Sequence, residues 1–354
     1  MSGPKLGCII LGSGGIVSQR FQQRLSNHPF FELAGVVGSS NSIGKKLLDL
    51  PWNLDEQRPS LPDITIIGMK EGRELVMKND IQIVFSALPS EIAAKAEPLF
   101  VKSGCMVYSN ASYHRMLNEV PLVIPEVNSN HLDQIKKNII ANPNCSTAQL
   151  VIALKPLHDL FVIKRIVVST YQSVSGGGKA PMDELIEQTK LVLDGKDVKS
   201  KNFTKQIAFN AIPHIDVFSD DGYTKEELKM TNETKKILDS KIDLTATCVR
   251  LPISVSHSES VNLQFEKPFS LEKVREALNN FDGCKVIDER VDGGYSTPLE
   301  AEGKDETFIS RIREDKTINN GLNLWIVSDN LLRGAALNAV EIAETLIKNN
   351  FYGK

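Results

Sequence analysis

Five cysteines in 354 residues (Cys8, Cys105, Cys145, Cys248 and Cys284) are too few, too scattered and the wrong parity for a disulfide framework, and no CxxC pair suggests structural zinc. Neither sign of charge dominates: 41 Lys and Arg face 44 Asp and Glu, a formal charge of -3. That balance lacks the basic excess of a dedicated nucleic-acid binder. No run approaches the roughly 18 uninterrupted apolar residues of a membrane helix. The opening MSGPKLGCIILGSGG has a short apolar run that ends in glycines without a small-residue cleavage pattern, so it reads as a buried strand and not as a targeting segment. Internal repeats and low-complexity linkers are absent too. What remains, 41% hydrophobic and 24% charged residues, is ordinary for a globular chain of about two domains. A reducing, cytoplasmic setting and no bound metal are the expectation.

Along the chain, an apolar strand at 6–11 turns through Gly12-Ser13-Gly14-Gly15 into a helical pattern from Ile16 to Leu25, and a second strand follows over Phe31 to Val37. This βαβ unit opens a doubly wound sheet. Strand patterns recur at Ile81–Leu88, Cys105–Tyr108 and Val120–Ile124, with a helix over Glu91–Val101. After about residue 140 the pattern changes to long β-rich stretches, Lys164–Ser173 and Leu244–Phe265, separated by polar helices at Met182–Leu193 and Lys225–Leu238. The expected fold is α/β: an N-terminal Rossmann-like dinucleotide-binding domain over 1–140, and an α+β catalytic domain with a mixed sheet over 141–330. A long Ala-rich helix from Leu331 returns to complete the first domain.

Three motifs carry chemistry. Gly12-Ser13-Gly14-Gly15-Ile16-Val17-Ser18 sits between strand and helix, where backbone N–H groups approach a pyrophosphate; Ser18 stands where the usual fingerprint has glycine. A tight turn without ligand is the bland alternative. The second strand ends in Gly38-Ser39-Ser40-Asn41-Ser42, with Lys45 and Lys46 beyond and no carboxylate to hold a 2′-hydroxyl or repel a 2′-phosphate. NADP is therefore favoured over NAD, although a capped helix start would also explain Ser42. Finally, Asn144 fits an N-cap, which puts Cys145 in the first turn of a helix, where the dipole lowers a thiol pKa and N–H groups can hold an oxyanion. Cys8 and Cys248 lie inside strand patterns and read as small buried residues. Of six histidines, only His257 stands among small polar residues, with Arg250 upstream; a structural histidine is the alternative there.

These residues resemble the aspartate-β-semialdehyde dehydrogenases, over essentially the whole chain. The resemblance is carried by SNASYHRM (109–116), VPLVIPEVN (120–128), NPNCSTAQL (142–150), STYQSVSGGG (169–178), FNAIPHID (209–216), EELKMTNETKKI (226–237), ATCVRLPISVSHSES (246–260) and VSDNLLRGAA (327–336). The helix and C-terminal motifs look most like the Gram-positive-type bacterial branch. The resemblance implies reversible, NADP-dependent reductive dephosphorylation of L-aspartyl-4-phosphate to L-aspartate-4-semialdehyde, a step in making lysine, threonine, methionine and diaminopimelate. It implies Cys145 as nucleophile, His257 as acid/base and Gln172 as the group orienting the acyl intermediate. Arg250 would hold the α-carboxylate and Glu227 the α-ammonium, while Arg115, Lys229 and Asn144 would hold phosphate. Ser175, Gly176 and Asn330 would join the glycine-rich turn, Ser39, Ser40, Ser42 and Lys45 around the cofactor. A homodimer through the second domain is also implied.

Departures cluster in the cofactor half: Gly14 and Ser18 in the turn, Asn41 where an arginine is common, and Gly177 for alanine. Because Arg250 and His257 differ by an odd number, an unbroken strand would point them to opposite faces, and Pro252 makes a break between them the expectation. Rival readings on the same architecture are an N-acetyl-glutamyl-phosphate reductase, a malonyl-CoA reductase, or a non-catalytic NADP-binding regulator.

Overall fold

The computed structural model of the chain describes residues 4–349 and Phe351. Its contacts divide into two compact units, Met1–Pro143 with Ala335–Lys354, and Asn144–Gly334.

The first unit alternates strand and helix: β1 (Leu6–Leu11), α1 (Ile16–Leu25), β2 (Phe31–Val37), α2 (Met69–Lys78), β3 (Ile83–Ser86), α3 (Ser90–Val101), β4 (Met106–Ser109), α4 (Pro125–Asn128) and β5 (Ile139–Ala141). All pairings are parallel, in the order β2-β1-β3-β4-β5. β1, β3 and β4 are continuous apolar runs because helices cover both faces of such a sheet. Val120–Ile124, expected as a strand, makes only an isolated bridge, Leu122 to Ala141, before Pro125 opens α4. The C-terminal helix Leu337–Lys348 packs Ala339, Val340, Ile342 and Leu346 into the same core as Phe21, Phe85 and Tyr108. Its polar anchors are Asn338, whose Nδ2 donates to the Val123 carbonyl at 3.0 Å, and Glu344, paired with His28 Nε2 at 2.9 Å.

The second unit contains α5 (Cys145–Phe161), β6 (Ile163–Gln172), α6 (Lys179–Leu193), α7 (Lys225–Ile237), β7 (Asp243–Arg250), β8 (His257–Phe265), α8 (Leu271–Asn279), β9 (Cys284–Val286), α9 (Pro298–Ala301), β10 (Thr307–Asp315) and β11 (Gly321–Ser328); the C-terminal helix of the first unit is then α10. The six-stranded sheet runs β7-β6-β8-β11-β10-β9 and is mixed, with β6–β7 and β10–β9 parallel and the other pairs antiparallel. Helices α5, α7 and α8 pack against it, and alternate residues of β8 (Val261, Leu263, Phe265) are buried. The intervening Ser260, Asn262 and Gln264 are half-buried. The mixed sheet agrees with the expected fold class. The helix expected from Leu331 begins instead with a π-helical turn, Leu332–Ala336, and is regular only from Leu337.

Candidate active site

The sheet of the second unit brings three of the expected residues to one end. Gln172 is the last residue of β6 and pairs in register with Arg250, the last of β7. On the other side of β6, Tyr171 pairs with Ser258, so His257 opens β8 beside the same strand end. The segment 251–256 crosses over that end, bonding Leu251 N to the Gln172 carbonyl at 2.9 Å. The expected break between Arg250 and His257 is this crossing, and it closes with Ser256 in the left-handed region at φ 72°. The odd spacing is thereby reconciled with a shared site.

Cys145 is the first residue of α5. Asn144 caps the helix, its Oδ1 accepting from Ser146 N (3.0 Å) and Thr147 N (3.2 Å). The Asn144 backbone N–H goes to Glu233 at 2.6 Å and its Nδ2 to Glu226 Oε1 at 2.9 Å. Both ends of this amide are thus engaged within the protein. Half-buried Cys145 also has a close neighbour that sequence reading passed over: a Cβ built on Gly334 would lie 2.5 Å from Cys145 Cβ and 2.8 Å from its Cα. Only glycine allows that approach, and the π turn delivers it.

Glu226 is the electrostatic centre. Its Oε1 accepts from Asn144 and from Gln172 Nε2 (3.3 Å), and its Oε2 from Lys229 Nζ at 3.0 Å. Burial alone would raise this carboxyl's pKa, but Lys229, Asn144 and Arg250 more than offset burial and hold it at about 2. Lys229 also reaches Asp216 at 2.8 Å, and the two carboxylates raise its pKa against the effect of burial.

Glu227, expected to face the ammonium, does something else. Its Oε2 accepts from Thr224 N at 2.8 Å in a capping box and its Oε1 from Cys248 N at 3.0 Å. A carboxylate that accepts from two buried backbone donors, one on each oxygen, holds α7 to β7. The correction was available in the spacing: residues three apart on a helix share a face, residues two apart do not. Glu226 and Lys229 are three apart.

His257 is fully buried. Its Nδ1 accepts from Ser173 N (3.0 Å) with Ser173 Oγ at 3.1 Å, while Nε2 meets no hydrogen-bond partner in the protein. Burial and then the Arg250 guanidinium push its pKa down to about 3, with Glu226 opposing. Arg250 Nη1 donates to the Ser173 carbonyl at 2.5 Å. A Cβ on Gly176 would stand 3.0 Å from Arg250 Nη1 and 3.3 Å from His257 Nε2. Asn330 Oδ1 accepts from Ser256 N (2.9 Å), Ser175 Oγ (3.2 Å) and Ser173 Oγ (3.3 Å), tying both sides of the histidine together. Ser175, Gly176 and Asn330 therefore belong to this cluster by contact.

In the first unit, the turn after β1 has the features of a phosphate cradle. Gly12 has φ 104°, and α1 starts at Gly15 without a side-chain cap, leaving first-turn N–H groups of Ile16 and Val17 for an external acceptor. Ser18, the departure from the fingerprint, donates to the Gly12 carbonyl at 2.6 Å, and Gln22 Nε2 donates to the Ser13 carbonyl at 3.1 Å. Ser13 Oγ donates to Ser42 Oγ at 2.9 Å, joining the two loops. Ser42 caps no helix: its hydroxyl also donates to the Ser39 carbonyl within a turn. Ser39, Ser40, Asn41 and Lys45 are exposed, and no carboxylate lies between residues 38 and 46. The loop fits a phosphate and lacks an acid for a ribose diol. Arg115, also in this unit, ends the turn Ser112–His114, with its Nη2 on the Asn110 carbonyl at 2.9 Å. Among the described residues, no group of three or more His, Cys, Asp or Glu side chains is arranged to hold a metal ion, and no helix is long and apolar enough to cross a membrane.

Comparison with known proteins agrees with this geometry. Residues 8–135 match the family described as semialdehyde dehydrogenase, NAD binding domain, and residues 154–333 match semialdehyde dehydrogenase, dimerisation domain. The aspartate-semialdehyde dehydrogenase of Aquifex aeolicus is 44% identical over 333 residues, covering 88% of this chain and 97% of that one. That of a Shewanella species is 45% identical, covering 97% and 98%. Among solved structures, aspartate semialdehyde dehydrogenase II of Vibrio cholerae, complexed with ASA, superposes with a TM-score of 0.89 at 38% identity, covering 98% of this chain and 99% of that one. The Candida albicans aspartate semialdehyde dehydrogenase with NADP gives 0.78 at 29% identity, covering 98% and 99%. Matched along its whole length in sequence and in fold, the chain belongs to the aspartate-semialdehyde dehydrogenase family.

Proposed function

We propose that this protein interconverts L-aspartyl-4-phosphate and L-aspartate-4-semialdehyde with phosphate, using NADP and a thioester on Cys145. The observation that carries the reading is the buried constellation at one sheet end: a thiol at a helix N-terminus beside Gln172, Glu226, Arg250 and His257. Cys145 attacks the acyl phosphate, and the α5 N-terminus favours its thiolate. Gln172 orients the acyl group. Arg250 holds the α-carboxylate as a planar fork, Glu226 takes the α-ammonium, and His257 handles the carbonyl oxygen. Lys229, paired with Asp216 and Glu226, serves the phosphate together with Arg115, while Asn144, expected there too, is engaged by Glu226 and by the first-turn N–H groups of α5 and acts by setting that helix start.

The cofactor, when bound, supplies the hydride. Gly12–Val17 hold its phosphates, Ser39, Ser40, Ser42 and Lys45 its 2′-phosphate end, and Ser175, Gly176 and Asn330 its nicotinamide side. The first unit thus binds NADP, and the second carries catalysis and dimerisation. The homodimer is supported by the face of the six-stranded sheet where half-buried Tyr171 and Trp325 meet with ring centroids 5.4 Å apart, tilted by 47°, among Ser169, Ser260 and Asn262. Cysteines that form no disulfide among the described residues, one of them a reactive thiol, suit the reducing cytoplasm. Placement in the Gram-positive-type branch rests on the motifs at 226–237 and 327–336, since the relatives above come from other organisms.

An N-acetylated substrate would bring no ammonium to a buried glutamate held ionised at a pKa of about 2. The test is phosphate-dependent NADPH formation from aspartate semialdehyde beside N-acetyl-glutamate semialdehyde. Turnover with the first alone is expected; preference for the second overturns the assignment.

A further inference from the structure

We propose that Glu233 of α7 is a positioning residue for the nucleophile: it closes the start of α5 from outside that helix and so fixes the backbone from which Cys145 projects. The proposal rests on the reading above and deepens it. A helix start leaves N–H groups without partners inside the helix, and a Glu or Gln at the third helical position commonly reaches back to the N–H of the capping residue. Helices α7 and α9 close themselves in this way, with Glu227 and Glu300. In α5 the cap is Asn144 and the third position is Thr147, whose hydroxyl makes no hydrogen bond within the protein. The Asn144 N–H is taken instead by Glu233, 89 residues on, with Oε2 at 2.6 Å.

Glu233 stands where an apolar residue would be expected. Residues 226, 230, 233 and 237 recur at helical spacing along α7 and all are buried. Met230 belongs to the apolar core of the second unit. A carboxylate in such a stripe is unfavourable unless it is paired. Besides Asn144, its neighbour is Lys236, one turn on, where burial pushes the ammonium pKa down and Glu233 opposes that. Two turns earlier on the same stripe, Glu226 takes Asn144 Nδ2 at 2.9 Å. One face of α7 therefore holds Asn144 by its backbone and by its side chain, while Asn144 Oδ1 accepts from Ser146 N and Thr147 N.

The next residue is Cys145, and Gly334 approaches its Cα and Cβ so closely that a methyl there would overlap them. Cys145 is thus bounded by Gly334 on one side and by a peptide that Glu233 anchors on the other. Without an acceptor, the buried Asn144 N–H would be left unsatisfied, and the cap would turn to find a partner. Misplacement of a nucleophile by about 1 Å is enough to lower a rate by about 100-fold. The part assigned to Glu233 needs an oxygen at that place and not a charge. Glutamine supplies the oxygen. Methionine fills the stripe and does not, and replacing a buried charge with a packed apolar side chain is often neutral for stability. Because both substitutions remove the charge, a difference between them reports the acceptor alone.

The test uses the full chain and compares wild type, Glu233→Gln and Glu233→Met, with NADPH binding to show that each is folded. Glu233→Gln should keep kcat within about three-fold of wild type. In Glu233→Met, kcat should fall at least about ten-fold, with the KM for aspartate semialdehyde and for phosphate within about three-fold. Wild-type kcat in Glu233→Met, equal losses in the two variants, or a loss carried by KM overturns the proposal. A second arm needs no substrate. Iodoacetamide should label Cys145 at least about three-fold more slowly in Glu233→Met than in Glu233→Gln, because a loosened helix start favours the thiolate less; equal rates count against the role. Amide hydrogen exchange followed by NMR should find the Asn144 N–H protected like buried Leu150 of α5, in wild type and in Glu233→Gln. Rapid exchange at Asn144 in wild type overturns the proposal even where Glu233→Met does not fold. If aspartate semialdehyde gave no NADPH, the functional reading would fall, while labelling and exchange would still judge Glu233. Activity in wild type with equal labelling of the two variants would sink Glu233 alone.

Discussion

Glu226 and Glu227 are neighbours in sequence with opposite assignments, so replacing each with glutamine separates binding from scaffolding. Glu226 accepts from Asn144, Gln172 and Lys229, and its fall from the ordinary carboxylate range to about 2 corresponds to about 3 kcal/mol of interaction favouring the charged form. Because the folded-state pKa is depressed, that stabilisation is full above about pH 4.5 and is lost as pH falls toward about 2. Glu226→Gln should flatten this part of the acid limb in a stability-versus-pH measurement. It also removes the anion assigned to the ammonium and turns an amide toward Lys229. Losing one partner of a buried charge pair costs about 2–5 kcal/mol, so kcat/KM for aspartate semialdehyde should drop on the order of 30-fold or more, chiefly through KM. Glu227→Gln keeps one acceptor but sets an NH2 group against Thr224 N or Cys248 N. Its cost should be stability, about 1–3 kcal/mol and a Tm lower by several degrees, with kinetics nearly intact at moderate temperature. Steady-state kinetics and thermal melts on both variants decide the matter. Normal kinetics in Glu226→Gln, with a kinetic loss and unchanged Tm in Glu227→Gln, would refute the reasoning.

Brief iodoacetamide labelling with mass mapping should find Cys145 the most reactive thiol, since burial pushes Cys105 up to about 12 and raises Cys8 and Cys248 as well; dominant labelling of Cys284 with activity intact would contradict the assignment. Gly334→Ala should cut kcat at least about ten-fold with NADPH affinity unchanged, because the added methyl overlaps Cys145; wild-type turnover would show that the contact has no consequence. Asn41→Arg should strengthen NADP preference over NAD by about 10- to 150-fold in kcat/KM, the effect of one charge-assisted contact of about 1.5–3 kcal/mol; an unchanged ratio would remove this loop from the 2′-phosphate site. Arg115→Ala should raise the KM for phosphate and Arg250→Ala the KM for semialdehyde together with a lower kcat; the reverse pattern would exchange their roles.

The fold class was legible because its two halves have different periodicities: continuous apolar strands beside helices in one, and alternation as in Ser260, Asn262 and Gln264 of β8 in the other. What the sequence obscured was local. Val120–Ile124 has the composition of a strand, yet Pro121 and Pro125 remove two donors and leave only a bridge. The turn at Leu332–Ala336 reads as regular helix, because its π geometry answers to the approach of Gly334 to Cys145, a contact between residues far apart in sequence. Cys145 at a capped helix start was readable from Asn144, a local signal. The partners of Glu226 were not, since Asn144, Gln172 and Lys229 come from three separate elements. Ser173 went unremarked for the same reason: its part is played by a backbone N–H, which every residue but proline carries.

The order β7-β6-β8 explains how one rigid frame gathers these groups. A strand flanked by a parallel neighbour that ends where it ends, and by an antiparallel neighbour that starts there, presents three side chains at one edge without any loop having to fold inward. Gln172 and Arg250 are strand termini, and His257 is a strand start. Such positions are held by ladder hydrogen bonds on their inner side and are free on the other, which suits groups that must be both fixed and reachable. The cost falls on the crossing segment, where Ser256 adopts φ 72°, unfavourable for a residue with a Cβ. That strain is offset by the hydrogen bond from Ser256 N to Asn330, so Asn330→Ala should release Ser256 as well as remove a group assigned to the nicotinamide side. The histidine's orientation thus depends on a residue 73 positions away in sequence, which is why the C-terminal motif belongs to the chemistry of the second unit.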